Sequence, residues 1–301
     1  MLLDTASLYF RAFFGVPATI TAPDGTPVNA VRGLLDFIAR LVTDHSPTHL
    51  VAAWDDDWRP QFRVDAVPSY KAHRLTPTVD GTEQEEVPDL LTAQVPLIVQ
   101  ALELLGICRL GAPGYEADDV IGTLATTSSS PVVVVTGDRD LFQLIDDQKP
   151  IKVLYTAARG VGNAELLDDA AIRQRYGIGA DQYADFALLR GDASDGLPGV
   201  KGIGDKTAAS LIDKYGSVAG LYAAIEDGTC TAGTAVKRNL IAAVDYVGAA
   251  TNVVQVVRDI DLPVIDAQLP TKPADPQALQ VFAEKWNLTS SVERISTALG
   301  W

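Results

Sequence analysis

The chain has 301 residues, of which 47% are hydrophobic and 21% charged, values typical of a folded globular protein with one or two domains. Its apolar runs are too short to cross a bilayer and its two cysteines cannot form a disulfide framework, so we expect a cytoplasmic protein without a membrane anchor. The net charge of −15 argues by itself against a phosphate-binding partner, because nucleic-acid-binding proteins usually show a basic surface.

The first half of the chain alternates between strand-like and helix-like segments. In chain order, the predicted elements are a strand at 1–4, a helix at 28–43, a strand at 49–55, helices at 90–107 and 119–127, and strands at 131–138 and 151–156. The run VVVV is typical of a parallel strand that is covered on both faces. We therefore predict an α/β domain over residues 1–167, with a mostly parallel sheet and helices on both faces.

Two further regions differ from this pattern. Residues 59–89 are rich in proline, basic in their first limb and acidic in their second, which predicts an exposed, mobile excursion. Residues 168–260 read as helices joined by a Gly-rich turn, although 251–264 could return to the sheet. Residues 261–301 contain one or two amphipathic helices, which we expect to pack back on the first domain.

Acidic side chains follow three of the predicted strands. Asp4, Asp55 and Asp138 come directly after the apolar residues, with Asp56 as the alternative if the second strand is one residue longer. Because ligands bind beyond the carboxyl ends of parallel strands, these side chains are expected to converge. Any one of them could simply cap a helix, but chance capping is a poor explanation for all three.

More acids are spaced to join this group, and they lie two or three residues apart: Glu116, Asp118, Asp119, Asp140, Asp192 and Asp195. Two carboxylates about 4 Å apart repel by roughly 4 kcal/mol at an effective dielectric constant near 20, so such a cluster requires bound cations. Neither His nor Cys joins it, and all-oxygen sites suit Mg²⁺ or Mn²⁺. The number of acids predicts two divalent ions, an arrangement used for phosphodiester chemistry.

A second signal is the stretch GLPGVKGIGDKTAASLI at 196–212. Its glycines predict a tight turn before a helix that begins at Asp205 or Lys206, with free N–H groups pointing outward. Such a turn between helices grips a nucleic-acid backbone without reading bases, and its carbonyls can hold a monovalent cation such as K⁺. The predicted DNA-binding residues are Gly199, Val200, Lys201, Gly202, Ile203, Gly204, Lys206 and Thr207.

Together, the motifs GYEADDVIGTLA, VTGDRDLFQL, RGDASDGLPGVKGIGDKTA and SYKAHR resemble the signatures of the bacterial 5′ nucleases. This family comprises the 5′-exonuclease domain of DNA polymerase I and the stand-alone flap endonucleases. The resemblance covers about residues 1–260. It implies a PIN-like domain with a helical arch at about 59–89, followed by a helix-three-turn-helix (helix-hairpin-helix) DNA-binding domain. Since no polymerase domain follows residue 301, we expect the stand-alone form.

The resemblance also implies a role for each matching residue. The first metal site would use Asp4, Asp55, Glu116 and Asp118. The second would use Asp118, Asp138, Asp140 and Asp192, with Asp119 and Asp195 nearby or acting through water. Lys71 and Arg74 would contact the scissile phosphate, and Arg11 would hold a phosphate near a strand end. The stretch WDDDWRPQFR is one residue longer than usual in the family, which leaves the choice between Asp55 and Asp56 open.

The implied function is hydrolysis of phosphodiesters in 5′ flaps, nicked or frayed duplexes and RNA primers on DNA, during replication and repair. The expected partners are branched DNA with a free 5′ strand and RNA–DNA hybrids, with a functional link to a DNA polymerase and a ligase; we expect a monomer. A PIN-type ribonuclease would share the acids without needing the Gly-rich turn or a basic arch. A non-catalytic DNA-binding protein would keep the turn and could lose the acids.

Overall fold

The computed structural model describes residues 1–77, 83–157 and 160–301. Its strands, in chain order, are β1 Leu2–Asp4, β2 Val51–Ala53, β3 Leu75–Pro77, β4 Glu83–Glu85, β5 Cys108–Leu110, β6 Val132–Thr136, β7 Ile151–Tyr155 and β8 Glu165–Leu167. Six of them form one sheet in the order β5-β2-β1-β6-β7-β8, which is parallel except for the antiparallel pairing of β8 with β7. The predicted mostly parallel sheet is confirmed.

Fourteen α-helices accompany the strands within the described residues. They are α1 Thr5–Gly15, α2 Asn29–His45, α3 Gln61–Ala66, α4 Asp89–Thr92, α5 Val95–Leu105, α6 Ala117–Thr127, α7 Asp169–Tyr176, α8 Tyr183–Arg190, α9 Asp205–Tyr215, α10 Val218–Glu226, α11 Thr234–Ala242, α12 Val244–Val254, α13 Pro276–Lys285 and α14 Thr289–Leu299. In the described part of the chain, no helix combines the length and the apolar character needed to cross a membrane.

Both faces of the sheet are covered, because alternate strand residues point to opposite sides. Leu3 on β1 and Val135 on β6 belong to one apolar cluster, which α2, α5, α13 and α14 complete. Leu2 and Val134 point the other way, into a cluster that continues through α6 and α8 into the later helices. The helices α13 and α14 lie on α5 and α2 respectively, so residues 276–299 lie against the first domain.

Several short helices and strands of the structure were not predicted from the sequence. The helix α1 follows β1 without a loop, and Asp4 caps it by accepting a hydrogen bond from the Ser7 amide at 3.1 Å. The predicted helix at 90–107 is divided into α4 and α5, and Pro96 occupies the first turn of α5, where its missing amide is harmless. Strands β5 and β8 have three residues each, too few to show an alternating pattern.

The prediction that residues 251–264 return to the sheet is wrong. The helix α12 continues to Val254, and residues 255–264 form an extended segment outside the sheet; beyond it, Gln268 makes an isolated antiparallel bridge with His49. Side chains of the first domain hold this segment instead: Gln143 bonds the backbone of Val254 and Val256, and Asp119 accepts from the Val257 amide at 2.8 Å. Its backbone groups are thereby paired without a sheet ladder.

The first limb of the 59–89 excursion is docked, which corrects the expectation that the whole excursion would be exposed. Arg63, Val67 and Tyr70 are all buried. Burial is possible because Asp119 pairs with the charge of Arg63 and Glu116 accepts a hydrogen bond from the Tyr70 hydroxyl. The excursion as a whole contains α3, a 3-10 turn and the antiparallel pair β3–β4, which joins its two limbs. The acidic residue Asp80 of the second limb lies outside the described residues.

Candidate active site

The three strand-ending acids come from neighbouring strands, because β1 lies between β2 and β6. Asp4 is 6% exposed, and one of its carboxylate oxygens accepts a hydrogen bond from the Thr136 hydroxyl at 2.6 Å. An oxygen of Asp55 accepts from the Ala117 amide at 2.8 Å, which fixes it at the start of α6. The Asp138 amide donates to the Thr136 hydroxyl at 2.8 Å. Asp4 therefore caps α1 and also faces the site.

Only one of the two alternative aspartates at the end of β2 faces this group. Asp55 lines the cleft together with Asp4. Asp56 is exposed, and its carboxylate lies so close to Gly111 that a Cβ there would clash with it. The structure thus favours Asp55 over Asp56 as the acid of the site.

These acids line one side of a cleft with a volume of about 940 Å³. Basic side chains share the same cleft. Its charged lining residues are Asp4, Asp55, Glu116, Asp118, Asp138, Arg11, Lys71, Arg74, Glu85 and Glu86. The sheet edge and the docked limb therefore bring together most of the predicted catalytic and metal-binding residues.

Burial and mutual repulsion perturb the acids of the cleft. Burial raises the pKa of Asp4 to about 7, and the charges of Asp55 and Asp138 add to this effect, although the Thr136 hydrogen bond opposes it. Burial followed by the charge of Asp138 raises the pKa of Asp118 well above its usual range. The pKa of Asp140 is raised for the same two reasons. In the absence of a bound cation, burial and mutual repulsion therefore favour the protonated form of these carboxyl groups.

The chemistry of this set fits divalent cations with oxygen ligands. Bound positive charge would relieve the repulsion that raises the pKa values of Asp4, Asp118 and Asp140. Within residues 1–77, 83–157 and 160–301, however, no three His, Cys, Asp or Glu side chains are arranged to hold a single ion. Glu116 is paired with Lys71 and Asp195 with Arg74. The predicted ligand sets therefore stay predictions.

Asp119 does not face the cleft. It is fully buried, and its two oxygens accept hydrogen bonds from Arg63 at 2.6 and 2.7 Å. The amides of Glu116 and Val257 donate to the same carboxylate at 3.2 and 2.8 Å. With four donors around it, the Asp119 carboxylate is fully hydrogen-bonded by the protein, and its predicted place near a metal ion stays a prediction.

The partner that holds Asp119 is Arg63, which the sequence analysis did not include among the site residues. Arg63 is 2% exposed, and it also donates to Glu116 at 2.6 Å and to the Val253 carbonyl at 3.2 Å. Tyr70 donates its hydroxyl to the same Glu116 oxygen at 2.7 Å. These contacts orient Glu116, whose second oxygen pairs with Lys71. The one sequence feature that could have indicated a buried Arg63 is its position among the apolar residues of the short helix α3.

The predicted arch cations pair with two different acids. Lys71 pairs with Glu116 and donates to the Trp58 carbonyl at 3.2 Å. Burial disfavours its charge, but the charges of Glu116, Asp195 and Asp118 together outweigh burial and raise the pKa of Lys71. Arg74 pairs with Asp195 at 3.0 Å. Both cations therefore lie among the acids of the cleft.

Three further predicted residues, Asp140, Asp192 and Arg11, lie near the acids of the cleft. Asp192 pairs with Arg190 at 3.1 Å, and its charge helps to raise the pKa of nearby Asp140, after burial and Asp138. Arg11 lines the cleft beside Gly137 and makes a long contact of 3.5 Å with the Ala157 carbonyl.

The Gly-rich turn has the predicted form, with one exception. Gly199 and Gly202 adopt positive φ values of 66° and 77°, which other residues rarely adopt. Gly204 has an extended backbone with φ of −103° and caps α9, so it needs no special freedom. Val200 and Ile203 are buried in the core and hold the turn in place. We call residues 199–204 the hairpin.

Of the predicted DNA-binding residues, the two lysines are at the surface of the hairpin and of the helix behind it, whereas the side chains of Val200 and Ile203 are buried. Lys201 and Lys206 are exposed, while Thr207 is half-buried in the first turn of α9. The side chain of Asn239 supports the hairpin by donating to the Lys201 carbonyl at 2.8 Å. The exposed backbone and lysines can contact a phosphate chain without contacting bases.

Two family models match the chain over most of its length. The model described as the 5′-3′ exonuclease N-terminal resolvase-like domain matches residues 1–177, and the 5′-3′ exonuclease C-terminal SAM fold matches residues 178–277. A 5′-3′ exonuclease of Streptomyces coelicolor is 54% identical over 99% of both chains. A 5′-3′ exonuclease of Mycobacterium tuberculosis is 48% identical, over 99% of this chain and 97% of the relative.

Solved structures share the fold at low sequence identity. The T5 D15 protein co-crystallised with metal ions superposes with a TM-score of 0.65 at 17% identity, covering 98% of both chains. The flap endonuclease-1 from Methanococcus jannaschii gives a TM-score of 0.61 at 15% identity, over 99% of this chain and 92% of the other.

Proposed function

The chain belongs to the 5′-3′ exonuclease family, and from this premise we propose a structure-specific 5′ nuclease that uses two divalent ions, Mg²⁺ or Mn²⁺. Its substrates are 5′ flaps, nicked or frayed duplexes and RNA primers on DNA. The observation that carries this proposal is the shared cleft, in which the acids at the ends of β1, β2 and β6 face Lys71, Arg74 and Arg11.

Each part of the cleft has a task in this proposal. Divalent ions, when bound by acids such as Asp4, Asp118 and Asp138, supply an activated water and offset negative charge on the phosphate. Lys71 and Arg74 exchange their carboxylate partners for the scissile phosphate and stabilise the charge that develops there. Terminal nucleotides must leave the stack to enter, which favours frayed and flapped 5′ ends.

The hairpin supports a DNA substrate rather than a ribonuclease activity on single strands. Its exposed lysines and outward-facing amides suit the phosphates of a duplex that lies behind the cleaved strand. Domain boundaries at 167/168 and 260/261 belong to this proposal, as does K⁺ at the hairpin. The monomeric state and the functional link to a polymerase and a ligase stay predictions.

A 5′-labelled flap substrate tests the proposal. With Mg²⁺ or Mn²⁺, product lengths should map to the flap junction, and excess chelator should abolish cleavage. A single-stranded RNA of the same sequence serves as the comparison substrate, and it should be cleaved far more slowly. Full cleavage in chelator would contradict the use of divalent ions, while faster cleavage of the RNA would favour the ribonuclease alternative.

A further inference from the structure

The hairpin is not directly bonded to the catalytic lysine, yet a single short loop connects the two. Residues 191–199, here called the relay loop, leave the last turn of α8 and end where the hairpin begins. The loop contains a 3-10 turn at 193–195, and Asp192 closes it by exchanging two backbone hydrogen bonds with Leu197 at 2.8 and 2.9 Å. It is therefore an internally bonded unit.

The two ends of the relay loop are packed against each other. A Cβ on Gly191 would lie 2.6 Å from the amide nitrogen of Gly199, and both glycines have positive φ. The Val200 amide donates to the Leu189 carbonyl at 2.9 Å, which ties the hairpin to α8. Contact this close leaves little room for the hairpin to move without the loop.

The middle of the relay loop bonds the docked limb. The Lys71 amide donates to the Asp195 carbonyl at 2.9 Å, and the Ser69 hydroxyl donates to the Gly196 carbonyl at 2.8 Å. Arg74 donates to the Ser194 carbonyl at 2.6 Å. These contacts join the backbone of the loop to the segment that carries both predicted phosphate-binding cations.

The hydrogen bond from the Lys71 amide to Asp195 matters because the backbone of Lys71 has an unusual conformation. Its φ is 49°, a left-handed value that a residue with a side chain adopts only when its surroundings impose it. The bond to Asp195 is one of the contacts that impose it. The relay loop therefore contributes to the backbone conformation of Lys71, while Glu116 and the Trp58 carbonyl hold its ammonium group.

We propose that the relay loop couples duplex binding at the hairpin to the placement of Lys71, with Gly196 and Ser69 as positioning residues. Gly196 has a φ of 72°, and a Cβ there would clash with the Ser69 carbonyl oxygen. A duplex on the hairpin stabilises the loop, and the loop in turn stabilises the strained lysine. Duplex structure thus becomes a requirement for efficient cleavage.

The matched variants are Gly196→Ala and Gly228→Ala. Gly228 has a φ of 79°, but a Cβ there would meet no atom within 4 Å, so both substitutions strain the backbone and only one disturbs the limb. Ser69→Ala is a milder variant that removes one hydrogen bond and leaves the backbone unchanged. It keeps the test informative if Gly196→Ala fails to fold.

The direct readout is hydrogen exchange of the Lys71 amide, measured in peptides covering residues 67–74. Blunt duplex DNA in chelator occupies the hairpin without being cleaved. It should slow exchange about tenfold in the wild type and in Gly228→Ala, a typical coupling between two sites. In Gly196→Ala the slowing should be absent, and in Ser69→Ala it should be reduced. An equal response in Gly196→Ala and Gly228→Ala would overturn the inference.

Single-turnover cleavage of a flap at saturating enzyme gives the second readout. Gly196→Ala should lower the maximal rate about ten- to a hundredfold, the effect of a small misplacement of a catalytic group. Ser69→Ala should lower it about two- to tenfold, as expected for one lost hydrogen bond. Gly228→Ala should match the wild type, and a rate loss equal to that of Gly196→Ala would attribute the effect to backbone strain alone.

The inference rests on the proposed function, because it places the duplex at the hairpin, but the two can fail separately. If the duplex does not bind, or if Gly202→Trp leaves its affinity unchanged, the assignment of the hairpin is wrong. If the duplex binds the hairpin while exchange at Lys71 stays the same in the wild type, only the coupling is wrong.

Discussion

Asp118 and Asp119 are adjacent in the first turn of α6, yet their surroundings differ completely. Asp119 is fully buried with four hydrogen-bond donors around its carboxylate, two of them on Arg63. Asp118 faces the cleft, where burial and the charges of Asp138 and Asp4 raise its pKa. Hydrogen bonds within the protein stabilise the carboxylate of Asp119, whereas the surroundings of Asp118 disfavour its charged form.

This difference separates the requirements of folding from those of chemistry. Buried charges are tolerated when they are paired and hydrogen-bonded, as Asp119 is. Acids that repel one another, as Asp118 and Asp138 do, reduce the stability of the fold, and groups with such raised pKa values cluster at functional sites. A substitution should therefore affect stability at one position and cleavage at the other.

The largest effect is expected for Asp118→Asn in cleavage. The single-turnover rate on a flap should fall at least about a thousandfold, or about 4 kcal/mol, because an acid of the site is lost. Flap affinity should be unchanged or higher, since a negative charge near the phosphate is removed. The free energy of unfolding in chelator should not fall, and a clear fall would show that Asp118 also supports the fold.

Arg63→Met should have the next largest effect, on stability. It leaves Asp119 buried without its cation and removes one of the two cations paired with Glu116, which should lower the free energy of unfolding by about 3–5 kcal/mol. Urea denaturation measures this loss. The control Arg294→Met removes the exposed pair with Asp36 and should cost about 1 kcal/mol or less. Equal losses in the two variants would mean that the buried cluster contributes no more than a surface pair.

The pH dependence of stability tests the raised pKa of an acid in the cleft. Burial raises the pKa of Asp4 to about 7, so the folded protein holds a proton that the unfolded chain releases near its ordinary value. The stabilisation is fully present below that ordinary value and is lost as the pH rises through about 7.

In chelator, the free energy of unfolding of the wild type should therefore fall by about 2–3 kcal/mol more between pH 5 and pH 8 than that of Asp4→Asn. Thermal or urea denaturation across this range measures the difference. Mg²⁺ should restore stability at pH 8. Parallel profiles for the two proteins would mean that Asp4 titrates normally.

The sequence was sufficient to predict the acids of the cleft because they follow strong local signals. Asp4, Asp55 and Asp138 each end an apolar strand, and a parallel sheet places such ends at one edge. The hairpin was predictable for a similar reason, since Gly199 and Gly202 mark backbone conformations that few other residues adopt.

The docked limb could not be predicted, because its partners are distant in the sequence. Arg63 is buried through contacts with Glu116 and with Val253, which is 190 residues away. A count of local apolar residues cannot reveal a charge that is satisfied by residues far away in the sequence. Strands such as β5 and β8 were missed for the opposite reason, since three residues are too few for a period to appear.

The smallest effect is expected for Asp56→Asn, and it extends the comparison to a second pair of adjacent acids. Asp55 lines the cleft and accepts from the Ala117 amide, whereas Asp56 is exposed beside Gly111. An exposed aspartate with no place in the cleft contributes little, so Asp56→Asn should change the free energy of unfolding by less than about 0.5 kcal/mol. Its single-turnover rate should stay within about twofold of the wild type, while Asp55→Asn should lose most activity, as Asp118→Asn does. Both variants remove one charge from the same loop, so any difference between them reflects position rather than net charge. If Asp56→Asn proved the more damaging in flap cleavage, strand β2 would present its next residue to the cleft and the site would contain Asp56 instead.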